Sequence, residues 1–338
     1  MKKLLVTVSA LAFGVAAGIA VAQAADVPPT WAWGFTTPPP STPPAAAAPA
    51  APAQLDNTKQ YTVPGSKSTF TRAQIANRYG PADWYPDDHP PMPDVVAHGK
   101  ESAQPTVYAC GLCHYPNGKG RPENANITGL SYDYIVQQLN DFRNGARKTS
   151  DPRKTNTGLM ASFTKSLTDD EIKTVAKYFS SIAYTPWIRV VESETAPKAK
   201  ANGGMWITLE GAEAGTEPIG SRIIETPVNA EHTELLRDSR SGFIAYVPPG
   251  SLKKGEALVR TGDGKVTACT ACHGADLRGL GPVPALAGRS PSYLARQLYD
   301  IQHGNRAGAW SPLMVPVVTK LDSDDLLNAA AYLASLQP

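Results

Sequence analysis

The chain has 338 residues, 42% of them hydrophobic and 18% charged, with a formal net charge of +2. That is enough apolar material for two modest cores, while 31 prolines and 28 glycines call for linkers and loops between them. Two of the basic residues, Lys2 and Lys3, sit at the very start, and the rest of the chain carries equal numbers of acidic and basic residues, which excludes a nucleic-acid-binding surface and nucleic acid as a partner.

In chain order, residues 1–24 read as a secretory signal peptide: two lysines, an apolar run from Leu4 to Val21 and a small-x-small end at Ala22-Gln23-Ala24. The rival reading is an uncleaved leader that associates the protein with a membrane. Thr, Ser and Gly dilute the apolar run, so cleavage and a periplasmic protein are expected. Residues 25–64 read as a Pro/Ala-rich tether, extended through TTPPPSTPPAAAAPAAPA. Within it, WAWGF at 31–35 is a candidate docking peptide or membrane-interface anchor, or else an apolar segment folded back on the first domain.

CGLCH at 110–114 and CTACH at 269–273 contain all four cysteines. Disulfides are the first suspicion in an exported chain, but a structural disulfide needs no histidine directly after each pair. Cys-x-x-Cys-His is the attachment frame of c-type heme, in which the thiols add to the vinyl groups and the histidine is carried to the iron. A zinc ion shared by the two pairs is the competing reading; it requires two distant segments to converge and leaves both histidines without a role.

The residues around the motifs repeat as well. An offset of 159 pairs Gly120 with Gly279, Gly129 with Gly288, Tyr134 with Tyr293, Gln138 with Gln297, Asp141 with Asp300 and Arg147 with Arg306. After a change of loop length the offset becomes 154, and Met160 falls on Met314, Leu167 on Leu321 and Tyr178 on Tyr332. This is a tandem duplication of one unit.

Residues 65–184 are the predicted first domain and 251–338 the second. Ser131, and Ser290 followed by Pro291, mark helix starts. Ile135, Leu139 and Phe142 share a face, as do Leu294, Leu298 and Ile301. A last helix is predicted after Thr168 and after Asp322, with Ile172, Val175, Ala176 and Phe179 inward in one copy and Leu326, Ala329, Ala330 and Leu333 in the other. The connector, residues 185–250, holds IRVVES, MWITLE, SRIIET and GFIAYV, which read as short strands forming a small β layer between the domains or facing another protein. The expected fold class is mainly α, as two helical domains joined by a long connector with short strands.

Both units resemble class I cytochrome c domains, and the pair resembles the tandem diheme cytochromes c, from about Gly99 to Ile182 and Gly255 to Leu336. The resemblance rests on CxxCH, a Q-L-x-D-[FI]-x-x-G-x-R helix end, a lone Met and the terminal helix. It implies two covalently bound heme c on Cys110, Cys113, Cys269 and Cys272, with His114 and His273 as proximal iron ligands and Met160 and Met314 as distal ones. Methionine is otherwise a core gap filler, but Met92 and Met205 have no repeated counterparts as these two do. Arg147 and Arg306 stand where the family often pairs a cation with a heme propionate; an ordinary solvated arginine is the alternative.

In the family a proline carbonyl often holds the proximal histidine. The second unit offers Pro282 or Pro284; the first has Ala125 at the position of Pro284 and only Pro122 nearby, which suggests a different environment for the first heme. Of the other histidines, His98 is the only substitute ligand for Met160, whereas His89, His232 and His303 are expected at the surface.

These features point to a periplasmic diheme electron carrier rather than an enzyme, with a dehydrogenase, a quinol-oxidising complex, an oxidase or another cytochrome as redox partners. The alternatives are a dedicated cytochrome subunit of a dehydrogenase complex, and a diheme peroxidase with one iron lacking its methionine.

Overall fold

The computed structural model describes residues 28–38 and 56–338. The predicted leader and the Pro/Ala core of the predicted tether lie outside the described residues. The first unit contains helices Cys110–His114, Tyr132–Arg143, Thr155–Ser166 and Asp169–Ser180; the second contains Ser251–Thr261, Thr270–His273, Pro291–Gln302, Ser311–Val318 and Ser323–Ser335.

The predicted helix starts are capped as their sequences dictate. The Ser131 hydroxyl accepts from the Tyr134 amide at 3.3 Å and the Ser290 hydroxyl from that of Tyr293 at 3.1 Å. Thr168 with Glu171, and Asp322 with Asp325, form capping boxes at the last helices. The helices bearing Met160 and Met314 have no such signal, because Lys154 and Trp310 at their starts make no side-chain cap.

The first unit closes over Ile135, Leu139, Ile172, Val175, Ala176 and Phe179; Phe142 is buried but lies outside that cluster. In the second, helix Ser251–Thr261 crosses the last helix so closely that a Cβ on Gly255 would lie 2.1 Å from the Asn328 carbonyl oxygen, and only glycine fits the crossing. The helix just before the first motif, Asp94–Ala97, is a single turn.

The four predicted strands of the connector are present as Ile188–Glu192, Met205–Thr208, Ile224–Pro227 and Phe243–Val247. The strand Phe243–Val247 is central, pairing in parallel with Ile188–Glu192 and antiparallel with Ile224–Pro227. Met205–Thr208 forms a hairpin with Ala199–Asn202, turned by Gly203 and Gly204 at φ of 58° and 89°. Alternate residues of the central strand face inward: Phe243 packs with Tyr115 of the first unit, while Ala245 and Val247 join the core of the second. The β layer therefore touches both units.

Two stretches of the predicted tether are packed. Trp31 and Trp33 are buried in the core shared by the second unit and the connector, contrary to a docking peptide, a membrane anchor or a segment folded onto the first domain alone. The Trp33 ring meets Tyr299 edge-on at 5.5 Å, its Nε1 donates to the Thr149 hydroxyl at 3.1 Å, and Trp206 Nε1 donates to the Trp31 carbonyl at 2.9 Å. Gln60–Tyr61 pairs with Phe70–Thr71, and Val63, Ile75, Trp84 and Tyr85 form a small core with Leu236 of the connector. Apolar rings separated from their partners by more than a hundred residues leave no local periodicity, which is why sequence pattern alone treats them as free.

The units meet across an approximate twofold. Arg147 and Arg306 face each other as an antiparallel bridge, flanked by Lys148 N to Asn305 O at 2.6 Å and Ala307 N to Ala146 O at 2.7 Å. Arg289 of the second unit donates to the Asn126 and Thr128 carbonyls of the first at 3.0 and 2.9 Å.

Candidate functional sites

A cavity lies beside the first motif, lined by Cys110, Cys113 and His114 together with Met160, Leu139, Phe142 and Phe163. His114 Nδ1 lies 2.8 Å from the Ala125 carbonyl oxygen, so this nitrogen donates and Nε2 keeps a free lone pair. His273 Nδ1 stands in the same relation to Pro284, also at 2.8 Å. The loop geometry, not the proline ring, delivers the carbonyl, and Pro122 is not the acceptor, so the two histidines do not differ in this bond.

Burial lowers the pKa of both His114 and His273, which favours the neutral imidazole that a metal needs. Burial pushes the Cys110 thiol up to about 12 and the Cys269 thiol to about 11. Such thiols are poor thiolate ligands or dithiol redox centres, and among the described residues no group of three or more His, Cys, Asp or Glu side chains is placed to hold a metal ion. Thioether attachment needs no standing thiolate.

Met160 is partly buried in the first core and reaches the cavity wall from its own helix, Thr155–Ser166. Met314 is half-buried on Ser311–Val318, next to the exposed apolar side chains Leu313 and Val315. Two thiols, a neutral imidazole and a thioether beside apolar walls fit a covalently attached heme in the first unit, and the second offers the same donor types on the same elements.

Arg147 and Arg306 are neither free in solvent nor confined to their own unit. Arg147 donates to Gln138 Oε1 at 2.9 Å, to the Tyr293 hydroxyl at 3.1 Å and to Gln297 Oε1 at 2.9 Å. Arg306 mirrors it, donating to Gln297 Oε1 at 3.3 Å, to Gln138 Oε1 at 3.0 Å and to the Tyr134 hydroxyl. The repeated Tyr, Gln and Arg positions were visible in the sequence; that they bond across units was not. Arg147 also lines the first cavity.

Of the remaining histidines, His89 departs from expectation. His98 is exposed, bonded to the Tyr79 carbonyl at 3.0 Å, and His303 is exposed with Nδ1 2.9 Å from the Tyr299 carbonyl. His232 pairs with Asp238 at 3.0 Å. His89 is not a surface residue: its side chain is 4% exposed, paired with Asp83 at 3.1 Å and edge-on to Tyr178.

Comparison with known proteins agrees with this arrangement. The cytochrome c family profile matches residues 96–183 and 252–337. Cytochrome c4 of Stutzerimonas stutzeri is 24% identical over 71% of this chain and 90% of its own length. A thiosulfate dehydrogenase electron acceptor of S. stutzeri strain A1501 is 24% identical over 69% of this chain and 82% of its own length. Cytochrome c-554(548) of Halomonas halodenitrificans is 39% identical over 22% of this chain and 90% of its own length. The chain belongs to the cytochrome c family, as two tandem cytochrome c domains that carry two covalently bound heme c.

Proposed function

We propose that this protein is a periplasmic diheme electron carrier, taking electrons from a dehydrogenase or a quinol-oxidising complex and passing them to a terminal acceptor or a smaller carrier. The observation that carries the reading is the matched pair of sites: in each unit an imidazole is held by one nitrogen to a loop carbonyl, with a methionine on a separate helix. Heme supplies one-electron chemistry when bound. His114 and His273 present Nε2 as the proximal donors, and Met160 and Met314 present sulfur as the distal ones. A thioether donor would raise the potential relative to a second histidine and disfavour peroxide binding.

The relative that serves thiosulfate dehydrogenase favours a dedicated version of this role, in which the donor is one particular dehydrogenase. Among the described residues no helix is long and apolar enough to cross a membrane. The near-infrared methionine-to-iron charge-transfer band of the oxidised protein, measured with heme content, tests the ligands. Met160→Ala and Met314→Ala should each remove half of the band; full retention in either variant overturns that assignment, and peroxide turnover by the wild type would overturn the carrier reading.

A further inference from the structure

The two copies of the motif stand in opposite surroundings. In the first unit Tyr115, directly after the motif, is 1% exposed and shares a core with Trp187, Met205, Ile207 and Phe243 of the connector. Arg237 donates to the carbonyl of Leu112, between the two cysteines, and its guanidinium carbon lies 5.9 Å from the Tyr115 ring centre. Arg121, beyond the motif, donates to the connector's Thr233 carbonyl at 3.4 Å. In the second unit Ala271, Cys272, Ala275, Asp276, Arg278 and Leu280 are all exposed, Leu280 to 66%.

We infer that electrons enter and leave this protein through the exposed motif face of the second unit, and that the first unit exchanges electrons only with the second. The inference rests on the electron-transfer reading above. Electron exchange needs close approach, and the connector occupies the approach to the first motif. The occupant of the second face is a redox protein. The cover on the first face shows what chemistry such a face accepts: an apolar surface with one guanidinium aimed at the carbonyl between the cysteines, which in the second unit is that of Ala271. In an incoming encounter the donor partner is oxidised by one electron and the second unit reduced by one, and transfer inward then reoxidises the second unit and reduces the first; in an outgoing encounter the second unit is oxidised by one electron and the acceptor partner reduced by one.

Flash-generated free flavin semiquinone, which gives up one electron and one proton to become oxidised flavin, serves as the probe. With the second heme removed by Cys269→Ala and Cys272→Ala, its bimolecular rate of reducing the protein should fall by about tenfold or more. A first heme that reacts alone as fast as the wild type overturns the inference; failure of either heme to be reduced overturns the electron-transfer reading instead. Because heme removal can unfold a unit, the intact diheme protein provides a second test. Arg278→Glu should raise its rate of reduction by the cation hexaammineruthenium(II) several-fold, while Lys177→Glu, exposed on the first unit, should not change it. Equal effects of the two charge changes overturn the inference. So does a concentration-dependent dimer in sedimentation that Arg278→Glu abolishes, since a second copy would then be the occupant.

Discussion

The loop after each cysteine pair delivers a carbonyl to the same histidine nitrogen at the same 2.8 Å, yet one loop is interior and the other faces solvent. Duplicated residues set the inner geometry of both units; residues that are not duplicated set which unit the outside can reach. Cover is supplied by Trp187, Phe243 and Arg237, and the connector that bears them is held on its far side by the second unit and by Trp31 and Trp33. Ligand geometry and access are thus encoded in separate parts of the chain.

Removing the anchor of the cover should have the largest effect. Trp33 is 1% exposed, and Trp33→Ala should cost about 3–5 kcal/mol, lowering the denaturant midpoint of the second unit and connector. If stability is unchanged, the amino-terminal arm is not part of the scaffold. Opening the cover itself should cost less. Arg237→Ala strands a carbonyl beside the first motif, for about 1–3 kcal/mol, and should speed reduction of the first heme by free flavin semiquinone without touching the second.

The smallest effect is confined to the first unit and depends on pH. Burial alone would lower the His89 pKa, but the Asp83 carboxylate and the Pro90 carbonyl outweigh it and raise the value above 6.5. A histidine raised on folding contributes fully below its unfolded value and loses that contribution as pH rises through the folded one. The melting temperature of the first unit should therefore decline modestly from just below neutral pH upward. His89→Gln should flatten that slope, and a slope of opposite sign would rule the pair out as its source.

The fold class and the paired motifs were legible because each rests on local signals: CxxCH, the Ser131 and Ser290 caps, the Thr168 and Asp322 capping boxes, and inward positions such as Leu139 and Leu298. The four strands were legible for the same reason. What escaped depends on chain segments far apart in sequence. Nothing in WAWGF says that Trp33 will meet Tyr299 and Thr149, and nothing in the polar run around Arg237 says that it will reach Leu112. Ala125 lacks the ring that marks Pro284, yet a carbonyl is available from any residue that the loop places correctly.

The Arg147 and Arg306 crossing is isologous: each arginine bonds the tyrosine and glutamine that its counterpart's unit supplies, as in a twofold homodimer. Here that dimer is written as a single chain. Each unit carries a surface complementary to its own repeat, so proteolytic cleavage within the connector should leave a noncovalent pair that still migrates as one particle. A lone substitution at either arginine breaks bonds to both halves at once.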